Sequence, residues 1–584
     1  MASAGTTFRE AIDARHSPDA IEEEIRIFAE KAEQFRRGEI TDDQFRPFRL
    51  KHGIYGQRQP RVQMVRVKVP SGVLNASQLL VLAQIADTYS TGRAHLTTRE
   101  NVQFHFVKLE DVPAVMRLLA NAGLTTREAC GNTVRNVTSC ALAGICPTES
   151  FDVTPYALGV TRFLLRHPEF HDLPRKFKIA FSGCEDDGNC AVAGIHDIGL
   201  IASVRTEVDR QRRGFKVMIG GGLGSLPTEA ATLTEFLPVE ELLPEIEAVL
   251  RVFDEHGNRK NKYKARMKFV LREKGIDELR RLIEEKRQTI TTPCEVLTVR
   301  SSVAQPLIGI TPAASTEPDS EDYRRWRGSN VMPQHQPGYA AVWIKVTAGG
   351  VTSAQLSGLA GILEKHNLPG VRIAILQDFL IPWVPRHQLS RLYSDLRKLE
   401  LATPGARTIA DVTGCPGATT CNLGITRSLT LAEELASILA TQTDPQVLKL
   451  RIKISGCPNS CGQHHIADIG LYGNARKIDG RQAPFYQLLL GGEVNASGVQ
   501  FAKQVMVVAA KQVPQTIGAL LELYQSQRHQ HESFAAWLAR TPEPEIVAWL
   551  RPHAEPPEGA EENFLDWGDR DRYSLQLGRG ECAS

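Results

Sequence analysis

Four cysteines carry the strongest chemical signal in this chain. Cys415 and Cys421 frame the stretch Cys-Pro-Gly-Ala-Thr-Thr-Cys, and Cys457 and Cys461 frame Cys-Pro-Asn-Ser-Cys. Two close pairs of thiolates can supply one sulfur to each iron of a cubane iron–sulfur cluster. Structural zinc competes for such a set, but its paired cysteines usually stand about two to four residues apart, and the step from Cys415 to Cys421 is longer. Free cysteine also packs as a small hydrophobe. That accounts for any one of these thiols better than for four flanked by Gly and Pro, so ligation is the expectation.

The elements that must position these thiols occur twice. QPRVQMVRVKVPSGVLNASQLLVLAQIA, starting at Gln59, aligns with QPGYAAVWIKVTAGGVTSAQLSGLAGIL, starting at Gln336. Each copy has an alternating stretch suited to a strand, a Gly-containing turn, and a helix with apolar spacing of three and four. NVTSC (136–140) then matches DVTGC (411–415), FSGC (181–184) matches ISGC (454–457), and HDIGL (196–200) matches ADIGL (467–471). A period of about 277 residues is too long for a solenoid and reads as one ancestral unit duplicated and fused. The expected boundaries are a charged extension (1–50), a first repeat in two parts (51–125 and 126–294), a Ser/Thr/Pro-rich connector (295–335), and a second repeat in two parts (336–402 and 403–584).

The pattern C-P-x4-C followed by S-G-C-P-N-S-C-G resembles the sirohaem nitrite/sulfite reductases, and the likeness extends over both repeats. It implies an α+β (mixed α/β) fold with two ferredoxin-like half-domains and two larger domains around a pseudo-two-fold axis. It also implies a [4Fe–4S] cluster on Cys415, Cys421, Cys457 and Cys461, with Cys461 shared with the iron of a sirohaem and Asn459 at the sirohaem edge. Positions matching Arg66, Arg135, Lys176 and Lys178 face the substrate in that family. Those matching Arg99, Gln103 and Arg266 hold sirohaem carboxylates.

Such cations suit the chemistry, because sulfite and nitrite are small anions and sirohaem carries many carboxylates. Any single Arg or Lys is more often a solvated surface charge, so the cysteine motif and the matched words carry the assignment. The duplication tests it. Arg66 and Arg135 meet Trp343 and Ala410 in the second repeat, while Lys176 and Lys178 meet Lys449 and Arg451. One composite site explains this, with cations from the first repeat and thiols from the second. The spacing of Lys176 and Lys178 predicts one strand face for both.

Two features depart from the family pattern. His95 stands where some relatives of this type have Arg. The first repeat also keeps Cys140, Cys146, Cys184 and Cys190 at positions equivalent to the ligands; a relict of duplication is the expectation, with a second cluster as the alternative. Cys130 receives no role. The basic run 257–274 reads as a solvated helix or a cradle for haem carboxylates, and Gly220–Gly224 lacks the G-x-G-x-x-G dinucleotide spacing.

Composition narrows the classes further. Sixty-nine basic against 67 acidic residues leave a net charge of +2, which argues against nucleic acid as partner. Eleven cysteines in 584 residues are too few for a disulfide scaffold. No apolar leader or run of about 18 apolar residues appears, so a cytoplasmic protein without membrane contact is expected. The function expected is six-electron reduction of sulfite to sulfide, with nitrite reduction to ammonia as the alternative and a non-enzymatic iron–sulfur carrier as the rival of another class. With no flavin or nicotinamide motif, electrons must come from ferredoxin or a flavoprotein donor.

Overall fold

The computed structural model describes residues 7–185, 190–207, 210–306, 320–578 and 580–581. The first repeat forms β1 (Ile54–Gly56), β2 (Val62–Val67), β3 (Val73–Leu74), β4 (Arg93–Leu96) and β5 (Val102–Lys108), then β6 (Thr138–Ser139), β7 (Ile179–Ser182), β8 (Ile198–Glu207), β9 (Arg210–Ile219) and β10 (Ala231–Pro238). The second forms β11 (Val331–Pro333), β12 (Tyr339–Ile344), β13 (Gly350–Thr352), β14 (Val371–Ile373) and β15 (Phe379–Pro385). It continues with β16 (Thr413–Gly414), β17 (Ile452–Ser455), β18 (Ile469–Ile478), β19 (Arg481–Leu490), the hairpin β20 (Glu493–Asn495) and β21 (Gly498–Gln500), and β22 (Lys503–Ala509).

Each repeat contributes a small and a large sheet, and the small sheets exchange strands. Their orders are β1-β2-β5-β4-β13 and β11-β12-β15-β14-β3, so each is completed by a short edge strand from the other repeat. The exchange follows from the turns before β3 and β13. Ser71 and Gly72 have φ of 54° and 67°, and Ala348 and Gly349 have 50° and 73°. A Cβ on Gly72 would lie 2.2 Å from the Ile373 carbonyl oxygen, and one on Gly349 would lie 2.5 Å from that of Leu96. The helices that follow, Ala76–Tyr89 and Ser353–Lys365, open with matching capping boxes, Asn75 with Gln78 and Thr352 with Gln355. Their apolar faces share one core, with Leu79, Leu82, Leu356 and Leu359 all buried.

The large sheets share one topology. β6, β7 and β8 run parallel and β9 and β10 return antiparallel; β16, β17 and β18 run parallel and β19 and β22 return. Both sets of cysteine loops leave the carboxyl ends of the parallel strands, the edge where such sheets place ligands. Packing is crossed. Gln59 donates to the Thr419 carbonyl at 2.9 Å, and its counterpart Gln336 donates to the Gly144 carbonyl at 2.9 Å. Each small sheet thus covers the cysteine loop of the other repeat.

One sequence expectation changes. The connector is shorter than 295–335, because the helix Glu321–Asn330 and β11 lie inside that range, and Tyr323 and Trp326 are buried in the shared core. Lys176 and Lys178 lie just before β7, on either side of Phe177, which bridges Val134 in parallel. At the other end of the chain, Glu581 pairs with Arg49 and accepts from the Gly56 amide at 3.0 Å, returning the tail to the first small sheet. Among the described residues no helix is long and apolar enough to cross a membrane.

Gly72→Ala and Gly349→Ala should each cost about 2–4 kcal/mol, because a left-handed backbone and a carbonyl contact are both violated. Guanidinium denaturation checks this, and Gly92→Ala, with open space around its Cβ, serves as the comparison.

Candidate functional site

Glycine brings the two cysteine loops of the second repeat into contact. A Cβ on Gly456 would lie 2.5 Å from Gly417 Cα, and one on Gly417, at φ 55°, would lie 2.4 Å from the Thr426 carbonyl oxygen. The Cys415 sulfur accepts from the Gly456 amide at 3.2 Å, and the Cys415 amide donates to the Ile454 carbonyl at 3.3 Å. All four thiols lie within electrostatic reach of one another. Burial and the neighbouring Cys461 push Cys415 up to about 12 and raise Cys421 and Cys457 as well. Such thiols keep their protons unless a cation takes their place. Among the described residues, no three His, Cys, Asp or Glu side chains converge on one ion.

Cys461 is exposed, whereas Cys457 is buried and Cys415 and Cys421 are half-buried. Exposed Asn459 lies in the same loop. Thr98 donates to the Cys461 carbonyl at 2.9 Å, which ties this loop to the first small sheet beside Arg99. A second tie comes from Gln377, which accepts from the Gly414 amide at 2.9 Å and donates to the Leu96 carbonyl at 2.8 Å.

The first small sheet presents a polar row to this space. Arg66 and Gln103 are cross-strand partners, as are Gln103 and His95. With its amide oriented to accept, Gln103 takes two bonds from Arg66 at 2.6 and 3.0 Å. Arg66 donates to the Ala129 carbonyl at 3.3 Å, and Arg135 donates to the same oxygen at 3.1 Å and to the Gly131 carbonyl at 3.0 and 2.8 Å. Two guanidinium groups therefore meet at one oxygen.

The large sheet of the first repeat adds the remaining cations. The Lys178 amide donates to Asp197 Oδ2 at 2.9 Å, and Arg266 grips both Asp197 oxygens at 3.0 and 2.7 Å. Arg266, expected to hold a sirohaem carboxylate, thus spends two donors on Asp197 and secures the backbone of Lys178. Burial drives Lys178 well below the usual lysine range; Arg99, Arg266 and Lys176 push the same way and Asp197 opposes them. Burial lowers Arg99 to about 10, and its guanidinium reaches Asn136, Thr138 and His196.

Two histidines join the set: His95, a departure from the family pattern, and His105, which no motif marks. His95 and His105 have ring centroids 6.5 Å apart. Burial, with Arg66 acting in the same direction, lowers His95 to about 3 and His105 to about 4, so both are neutral. Both His105 nitrogens, His95 Nδ1, Arg99 Nε, Ser71 Oγ and Asn136 Oδ1 are buried without hydrogen-bond partners. Orphaned polar atoms on and around the first small sheet suit a polar, carboxylate-rich group such as a sirohaem. The signal for His105 was its period-two spacing from Gln103 on β5.

The pseudo-equivalent position is closed by apolar packing. Trp343, Leu380 and Trp383 are buried in the core of the first large sheet, and Trp343 Nε1 donates to Met332 Sδ at 3.1 Å. Cys146 and Cys184 have sulfurs 3.8 Å apart, Cys140 is buried and Cys190 is half-buried. Cys130 touches Arg66 at 3.3 Å and packs with Leu50 and Met64. Cys582 lies outside the described residues.

Comparison with known proteins gives the family. The model of the nitrite and sulphite reductase 4Fe-4S domain matches residues 130–290 and 405–557, and that of the nitrite/sulfite reductase ferredoxin-like half domain matches 55–122 and 332–399. The chain belongs to the nitrite and sulfite reductase family. Sulfite reductase [ferredoxin] 1 of Mycolicibacterium paratuberculosis is 28% identical over 492 residues, 83% of each chain. Assimilatory ferredoxin-dependent nitrite reductase of Haloferax mediterranei is 29% identical over 540 residues, 89% of each chain. The solved NirA protein of Mycobacterium tuberculosis superposes with a TM-score of 0.74 at 26% identity, covering 87% of this chain and 92% of that one.

Proposed function

We propose that this member of the family reduces sulfite to sulfide, consuming six electrons and six protons and releasing three waters, in the assimilation of sulfur. Bound sirohaem and a [4Fe–4S] cluster on Cys415, Cys421, Cys457 and Cys461 would supply the electrons, with Cys461 as the shared sulfur. Arg66, Arg135, Lys176 and Lys178 would neutralise the anion. Gln103 would fix the Arg66 guanidinium, and Arg99 would bind a carboxylate of the macrocycle. Because arginine does not release its proton in proteins, Lys178 is the suited proton donor, and burial loosens its hold on that proton. The donor would be ferredoxin, in keeping with the names of the relatives, with a flavoprotein as the alternative.

The observation that favours sulfite is Lys178 itself. It adds a second basic group beside Lys176, which suits a dianion better than a monoanion, and plant-type nitrite reductases have Asn at the matching position. Nitrite remains the second reading, because relatives bear both names.

Steady-state kinetics with reduced donor test the choice. Wild type should show the higher kcat/KM for sulfite. Lys178→Asn should lower that value on the order of 10²-fold and lower the nitrite value less. A wild-type preference for nitrite would overturn the substrate assignment.

A further inference from the structure

Lys453 lies on β17 beneath the loop that carries Cys457 and Cys461. It is only 5% exposed, and its ammonium donates to Gln463 Oε1 at 2.8 Å. Gln463, at φ 64°, ends the turn that folds this loop back onto the strand. The return is close: the Gly462 amide donates to Ser455 Oγ at 3.0 Å, and a Cβ on Gly462 would lie 2.0 Å from the Ile454 carbonyl oxygen. On the neighbouring strand, Thr413 pairs with Lys453, which brings Asp411 alongside. Asp411 neighbours Asp378, and burial, with the Asp411 carboxylate acting in the same direction, raises Asp378 well above the usual carboxylate range. Lys345 neighbours Asp378 and lines a cavity of about 720 Å³ together with Arg93 and Arg397. A file of ionisable groups thus joins that cavity to the underside of the cysteine loop.

The first repeat provides an internal control. Asn101 stands for Asp378, and each accepts a strand amide, from Val69 and Val346 respectively. Asn136 stands for Asp411. Ala180, paired with Thr138, stands for Lys453, and left-handed Val192 stands for Gln463. The titratable members Asp378, Asp411 and Lys453 therefore occur only in the repeat that carries the exposed thiol Cys461. Packing alone does not require them, since Asn, Asn and Ala fill the same fold positions.

We propose that Lys453 is a positioning residue for the charge of the cluster: one electron entering the cubane from the external donor is accompanied by one proton entering Lys453 Nζ from solvent, so the buried charge of the pair is conserved. The proton's route is Asp378 and Asp411. The inference rests on the cluster assignment made above. Reduction and protonation favour each other by the same coupling energy, because added negative charge raises the affinity of the amine for a proton. Burial already brings Lys453 down to about 7, with Arg451 acting in the same direction and Asp411 opposing. The other groups near it are His464, kept neutral by burial, and Asp468, raised to about 6 by burial and held beside the Arg451 amide at 2.8 Å.

The test is the midpoint potential of the cluster in purified holoenzyme, followed by EPR of the reduced cubane between about pH 6 and pH 9. The wild-type potential should fall as pH rises through this window. Lys453→Arg, permanently charged, and Lys453→Gln, permanently neutral but still able to bond Gln463, should both lose the slope, with the Arg variant at the higher potential. A Lys453→Gln protein with normal iron content and the wild-type slope would overturn the inference. A purely structural role would change iron content or thermal midpoint and leave the slope intact. Absence of any cubane signal in wild type would instead defeat the cluster assignment, and this inference with it.

Discussion

The architecture depends on the reciprocal loan of one short edge strand. Because β3 completes the second small sheet and β13 the first, neither sheet can move independently, and the two helices between them bury a single core. From that fixed pair, each sheet reaches across to the cysteine loop of the opposite repeat. The positive-φ turns at Ser71–Gly72 and Ala348–Gly349 are the points where the chain crosses, and both glycines press directly on a carbonyl of the other copy.

Crossing separates two tasks that one repeat could not easily combine. Thiols that must give up protons benefit from cations nearby, while an anion pocket needs those cations rigidly held and poorly solvated. Here the cations are anchored in the first repeat by backbone carbonyls and Asp197, and the thiols are gathered in the second by glycine-mediated loop contact. At the equivalent crossing, Trp343, Leu380 and Trp383 fill the space that Arg66 and Gln103 border on the other side. Duplication supplied two frames, and hydrophobic packing closed one of them.

Much of this was legible from repeated words. NVTSC/DVTGC and HDIGL/ADIGL fall on paired strands of the two large sheets, and Gln78/Gln355 proves to be the capping glutamine of each central helix. Strand exchange was not legible, because two- or three-residue strands are too short to show periodicity. The spacing of Lys176 and Lys178 suits one strand face, and Phe177 between them bridges Val134, but the tie from the Lys178 amide to Asp197 has no local sign in the sequence. The role of Arg266 depended on a tertiary partner, Asp197, that no local pattern announces. His105 was overlooked because its spacing from Gln103 carries no weight until its two nitrogens prove to be buried and unpartnered.

The proposal is spatial: iron would be held by thiols of one repeat and would face cations of the other. Anomalous diffraction at the iron edge from crystals of the purified holoprotein tests it most directly. The account predicts a compact group of iron peaks bounded by Cys415, Cys421, Cys457 and Cys461, with one further iron beyond Cys461 toward Arg66 and Gln103. Iron peaks beside Cys146 and Cys184, or a zinc edge at Cys457, would contradict it.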